Sequence, residues 1–328
     1  MMYPLMTLND ETEIVHSQML EDGRVKVYIE RPDEEYCFRH ATCWLPKYLW
    51  EDVYHFNEEE IRQFEEIIRS KESVILGSAW EHQRSKYSVL DIDTKVFSQY
   101  LKRVRNAGRI NLDNEDPSAV MMRLGLSDDG QLLNAGAALF VDSEINELHI
   151  TRYATDLGLT VTDSCEATGS ILGLYKKTVE YIIDAMDWRV EFDGSLERKE
   201  IPEIPVVAIK EAVINAFAHR KIEVGRSVKV VIYRSYMEIY SPGKFPKEAT
   251  PEMFINEIRE PIYQNPLIAK ALYYSGDKDC SATGLKRIQD ACNEAGCKVE
   301  FYEEENGFTV RFYRHCGKEW GWMTNGKY

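Results

Sequence analysis

The stretch Glu211-Ala-Val-Ile-Asn215-Ala-Phe-Ala-His219-Arg220 decides how the rest of the chain is read. Val206, Ile209, Val213 and the Ala216/Phe217 pair recur at helical spacing, so the segment is a helix with one buried face. Glu211, Asn215 and His219 stand four apart and stack along one side of it. A carboxylate one turn from a carboxamide can share a hydrated magnesium ion. The carboxamide supplies a carbonyl oxygen and the carboxylate polarises a water. The same spacing also describes a plain polar stripe on an amphipathic helix, and the helix alone does not choose between the two.

Downstream, residues 228–233 and 237–240 read as two strands joined by a short turn. Ser241-Pro242-Gly243 ends the second strand, where a glycine lets backbone approach a ligand closely. Asn265-Pro266 opens a helix, with Asn as cap and Pro at its first position, and Ser275-Gly276 closes it. Thr283-Gly284 precedes a helix over 285–295, whose first-turn N–H groups can face phosphates. Residues 299–302 and 308–312 then form a hairpin around Glu305-Asn306-Gly307.

Upstream, residues 24–30 alternate as a strand after the Asp22-Gly23 turn, and Asn57-Glu-Glu-Glu60 is a capping box for a helix carrying Ile61, Phe64 and Ile67/Ile68. Residues 72–93 read as a connector. Thr94 caps a helix through Asn106, and Asp116-Pro117 opens one that ends near Gly125. The apolar runs 135–141 and 148–153 have strand length, Ser170 caps a long helix, and residues 188–205 read as a charged loop.

The chain has 328 residues, 44% of them hydrophobic, enough for two domains with real cores. Its formal net charge of −15 repels a phosphate backbone, so any DNA contact must come from a local basic patch. Residues 95–109 supply a candidate: Lys95, Lys102, Arg103, Arg105 and Arg109 with no acid between them. The competing reading is a basic face that is solvated or paired with acids elsewhere in the chain. Seven cysteines without a paired framework fit a reducing, cytoplasmic setting. Cys37, His40 and Cys43 are three soft ligands without the fourth that zinc requires, so free thiols are expected. No stretch approaches the length of a membrane span, and no Gly-x4-Gly-Lys-Ser/Thr loop signals a helicase motor.

The ordered set E-x-x-x-N-A-x-x-H-R, S-P-G-x-x-P, N-P-x-I-A-x-x-L and T-G-L-x-R-I resembles the RecG-like C-terminal, histidine-kinase-type (GHKL) ATPase domain. That domain belongs to bacterial helicase-related proteins and transcriptional regulators, and commonly follows a Schlafen AlbA-like DNA-binding domain. The resemblance covers roughly residues 117–314. It implies an α/β (α+β) fold, a two-layer Bergerat-type sandwich over 161–315. Linking helices and strands over 94–160, a partial AlbA-like α+β domain with its connector over 1–93, and a tail over 316–328 complete the chain. Within the first 93 residues, a strand, an irregular aromatic segment and a helix resemble the second half of the AlbA-like domain.

The resemblance also assigns roles. Glu211 orients the attacking water, and Asn215 binds magnesium. His219, Arg220, Ser241, Gly243, Thr283 and Gly284 line the nucleotide, with Gly243 beneath the adenine and Gly284 in the phosphate lid. ATP and magnesium are the implied cofactors, nucleotide and DNA the partners, and a homodimer the assembly. Two departures bear on turnover. An Asp that pairs with the adenine amino group is expected where the chain has Ser241-Pro242-Gly243. A Gly-x-Gly lid is expected where it has Ala282-Thr283-Gly284. The expectation is therefore nucleotide binding with slow or no hydrolysis and no unwinding. The alternative is a DNA-binding or protein-interaction module that keeps the fold without nucleotide.

Overall fold

The computed structural model describes residues 1–191, 199–221, 225, 227–245, 249–258, 263–278 and 284–314. Alternation of apolar residues builds its first layer. Strands β1 (Met2–Thr7), β2 (Glu13–Ser17), β3 (Val25–Asp33), β4 (Cys37–Leu45) and β5 (Leu49–Tyr54) form an antiparallel meander in chain order. Val25, Val27 and Ile29 point to one face, and Leu45, Cys43 and Ala41 stand opposite them in register. Helix α1 (Glu58–Glu81) covers that face with Phe64, Ile68, Ile75 and Ala79. It begins at the expected capping box, Asn57 accepting from the Glu60 amide and Glu60 accepting from that of Asn57. The segment expected to be irregular and aromatic is thus the pair β4 and β5. Cys37 is exposed and Cys43 buried, and burial pushes the Cys43 thiol up to about 12. Among the described residues no group of three or more His, Cys, Asp or Glu could hold a metal.

The connector expected at residues 72–93 is largely absent, because α1 continues to Glu81. Ile75 and Ala79 keep the helical stripe, and Gly77 is a contact point rather than a break. A Cβ there would lie 2.1 Å from the carbonyl oxygen of Gln264, so only glycine lets the helix lie against that backbone.

The second core begins after α1. It takes β6 (Arg84–Ser88), α2 (Thr94–Ala107), α3 (Pro117–Leu124), β7 (Ser127–Asp128), β8 (Gln131–Leu133) and α4 (Asn134–Phe140). There follow β9 (Glu147–Tyr153), β10 (Val161–Thr168), α5 (Ile171–Ala185), β11 (Trp188–Glu191), β12 (Lys199–Pro202) and α6 (Val206–Ala218). The last part holds β13 (Ser227–Ile232), β14 (Tyr236–Pro242), α7 (Pro251–Ile255), α8 (Pro266–Tyr274), α9 (Gly284–Glu294), β15 (Val299–Glu303) and β16 (Gly307–Tyr313). Among the described strands, six form one sheet in the order β10-β9-β13-β14-β16-β15. Only β9 and β13 run parallel, with Leu148 beside Val228 and Ile150 beside Val230. Helices α5, α6 and α9 pack on one face of the sheet, giving the expected α+β two-layer sandwich.

Three segments differ from the sequence reading. Residues 94–160, expected as linking helices and strands, place α2, α3, α4 and β9 in the sandwich core itself. Residues 135–141 are helical rather than extended. A short, wholly apolar run carries no period of its own, and the alanines here favour the helix. The loop at 188–205 contains the hairpin β11/β12.

Helix α8 joins the two cores. Asn265 precedes it but does not cap it with its side chain, which instead donates to the carbonyls of Ala218 and Arg220. The cap comes from Glu81 at the end of α1. Its carboxylate accepts the amides of Leu267 at 2.8 Å and Ile268 at 2.7 Å. Glu81 is fully buried, and burial pushes its carboxyl up to about 8 against the pull of those two donors. Between about pH 4.5 and about pH 8 the folded state therefore holds a proton that the unfolded chain has released. Stability contributed by this group is highest below the lower value and falls as pH rises. His16, which is buried, and His82, which is half-buried, are held by desolvation below the usual histidine value and act in the opposite sense. The expected result is read as a difference: between pH 5 and pH 8 the wild type should lose several degrees of melting temperature relative to Glu81→Gln. Parallel melting profiles for the two proteins would show that Glu81 does not titrate in this range.

Candidate functional site

Helix α6 carries the site. Its apolar residues pack in the core with α5, α9 and the sheet, and Glu211, Asn215 and the C-cap His219 face the start of α9 and Lys278. Glu211 is almost wholly buried. One of its oxygens accepts from Asn215 Nδ2 at 3.0 Å, and the other lies 3.3 Å from Arg287 Nη1 of α9. The start of α9 rests on this pair. A Cβ on Gly284 would stand 2.8 Å from Glu211 Oε1 and 3.0 Å from Asn215 Nδ2, so glycine is needed for the crossing. On the other side of Asn215, Oδ1 accepts a hydrogen bond from the ammonium of Lys278, which also lies 2.9 Å from His219 Nε2. An ammonium has no lone pair, so His219 Nε2 is the acceptor and its ring proton sits on Nδ1. Lys278 is itself buried.

In front of these groups opens a cleft. One end is aromatic: Phe245 stacks on Phe254 and meets Phe308 edge-on. The other end is polar, with Asn215, His219, Lys278 and Gln264, and Tyr263 stacks on the His219 ring. Ser241 Oγ donates to Ala216 O at 2.8 Å and so ties the end of β14 to α6. Gly243 follows at φ +104°, a conformation that glycine tolerates, and a Cβ there would strike the Lys221 side chain at 2.6 Å. Gln264 Nε2 donates to Lys244 O, while Gln264 Oε1 is buried without a hydrogen-bond partner. Lys244 and Lys278 are charged members of the described lining, which includes no Asp or Glu.

The structure brings Asn215, His219, Ser241, Gly243 and Gly284 of the sequence-derived set to the cleft. Thr283, with Ala282 and the rest of the lid motif, lies outside the described residues. Two assigned residues sit elsewhere. Glu211 lies behind Asn215 rather than on the lining. Arg220 is buried away from the cleft and donates to Asn146 Oδ1 and to Ile145 O, because α6 has ended and the chain has turned toward β9. Lys278, Gln264 and the phenylalanines were not singled out from the sequence. Lys278 and Gln264 flank α8 without any periodic signal, and only the packing of α8 beside α6 turns them inward.

The basic stretch of α2 is largely engaged within the protein. Arg103 pairs with Asp277 at 3.0 Å, Arg105 pairs with Glu115, and Arg109 donates to the carbonyls of Tyr273 and Lys278. Arg103 and Arg109 thus secure the C-terminal end of α8, where a positive charge complements the exposed carbonyls. Lys95 and Lys102 remain exposed. Arg103→Glu should therefore destabilise the fold by about 1 kcal/mol or more, since it sets two acids face to face. A denaturant midpoint unchanged from wild type would contradict that placement.

The α+β class and an aromatic, cationic cleft at the N-terminal side of α9 are what the geometry defines. Residues 225–312 match the family model described as "Putative ATP-dependent DNA helicase recG C-terminal". The matched segment holds Ser241, Gly243 and Gly284 and begins after Glu211 and Asn215. Among solved structures, the DIP2311 protein from Corynebacterium diphtheriae superposes with a TM-score of 0.61 at 17% identity. The alignment takes in 94% of this chain and 60% of that one, so both cores share in the likeness of fold and this chain spans about three-fifths of that protein's length. A search of the curated proteins returns no match.

Magnesium fits this arrangement poorly. It asks for near-octahedral oxygen ligands at about 2.0–2.1 Å. The Asn215 oxygen that would serve already accepts the Lys278 ammonium, and Glu211 is held by Asn215 and Arg287.

Proposed function

We propose that the protein is an ATP-binding regulatory protein of the cytoplasm that hydrolyses its nucleotide slowly or not at all. The observation that carries this reading is the cleft itself, with aromatic walls at one end and Lys278, His219 and Asn215 at the other. Aromatic faces suit a purine base, and the buried cation suits phosphate. The match to the RecG C-terminal family over residues 225–312 points the same way.

Slow turnover follows from Glu211. A general base needs reach to its water, and this carboxylate is buried behind Asn215 and paired with Arg287. A regulatory role follows from the frame around the cleft. Gln264 and Asn265 are fixed by α1, so a ligand that moves them acts on the N-terminal layer as well. DNA binding through α2 is not part of this reading, given the internal partners of Arg103, Arg105 and Arg109.

With ATP at about 100 times its dissociation constant, the native state gains about 2.7 kcal/mol, a melting shift of a few degrees. Glu211→Gln should keep most of that shift. Turnover should stay below about 1 per second, the low end for working enzymes. The absence of any shift with ATP would leave the non-catalytic interaction module as the reading, and faster hydrolysis would remove the argument from Glu211.

A further inference from the structure

We infer that Lys278 is the resident cation of this cleft, standing where a magnesium ion would stand and binding nucleotide phosphate without a metal. The inference rests on the nucleotide reading given above and specifies how that site meets its charge.

Three observations carry it. Lys278 Nζ donates to Asn215 Oδ1, the one oxygen of the α6 stripe that could enter a metal's coordination sphere from the cleft side. The same ammonium lies 2.9 Å from His219 Nε2, so it is aimed by two side chains one turn apart on α6. Its backbone is held as well: Lys278 N donates to Leu272 O at the end of α8, and Lys278 O accepts from Arg109. The ammonium is thus positioned from both ends and is not a surface lysine that happens to reach inward. Lys278 is 6% exposed.

The exclusion of magnesium is then a matter of charge and space. Asn215 Oδ1 already gives one of its two lone pairs to the ammonium, so a metal ion at about 2 Å on the other would stand directly beside that positive charge. Two cations so close in a partly desolvated site repel strongly. Glu211, which could offset a divalent charge, is drawn instead toward Arg287. A polyphosphate entering the cleft meets one fixed positive charge at its inner wall and Lys244 along its lining. A lysine serves phosphate as a point charge, so it asks nothing of coordination geometry.

The test measures ATP and adenosine affinity by calorimetry on the full chain, in excess EDTA and in excess magnesium. Wild type should bind ATP within about twofold under the two conditions and adenosine at least tenfold more weakly. Lys278→Gln should lose at least tenfold of the ATP affinity in EDTA. It should recover part of it when magnesium is added, because Asn215 Oδ1 is released. Wild-type binding that requires magnesium overturns the inference and leaves the nucleotide reading standing. So does equal affinity of wild type for ATP and adenosine. Failure to bind either compound under both conditions overturns the two together. The wild-type arms decide the matter even if the variant folds poorly.

Discussion

The carboxyl group of Glu81 on the amides of Leu267 and Ile268 is the contact on which the arrangement depends. It is buried, and it joins the last turn of α1 to the first turn of α8. A helix start buried without a partner leaves several amide donors unsatisfied, each costing about 1–3 kcal/mol. Once α8 is fixed at that end, Asn265 is free to bind the carbonyls at the end of α6, and Tyr100 meets Ala271 O from the other side. Arg103 and Arg109 close the far end. Helix α8 therefore lies in a frame made by α1, α2 and α6, and the cleft residues on either side of it, Gln264 and Lys278, inherit their positions from that frame.

This explains why the functional groups separate into two kinds. Asn215, His219, Ser241, Gly243 and Gly284 are legible in the sequence because they sit in short patterned segments: one helix face, one strand end and one helix start. Lys278 and Gln264 carry no such pattern. Each takes its role from where α8 lands, a tertiary fact that no spacing encodes. Arg220 errs in the other direction. It is adjacent in sequence to His219, but the helix ends at Ala218 with His219 as its C-cap, and two residues beyond the end the Arg220 side chain no longer follows the helical stripe.

The fold was readable wherever the period was strong. The caps at Asn57, Asp116 and Ser170, the strands β13 and β14, and the closing hairpin all fall where the patterns put them. Reading failed at three kinds of place. The apolar run of α4 has no period, Gly77 looks like a break but is a packing contact, and Arg103 and Arg109 of the basic stretch find their partners about 160 to 175 residues away. In the last case a local excess of charge on an acidic chain was an internal bond waiting for its acid and carbonyls.

The parallel pairing of β9 with β13 has a further consequence. The segment matched by the RecG C-terminal model begins at residue 225, yet β13 is bonded along one side to β9, which the chain has laid down some eighty residues earlier. Cut out alone, that segment would expose β13 as a bare edge and strip the sheet of α5 and α6, which cover its apolar face. An open, apolar edge recruits other strands. The region matched by the family model is therefore not an excisable module: its sheet is completed by β9, and its helix α8 is capped from the end of α1.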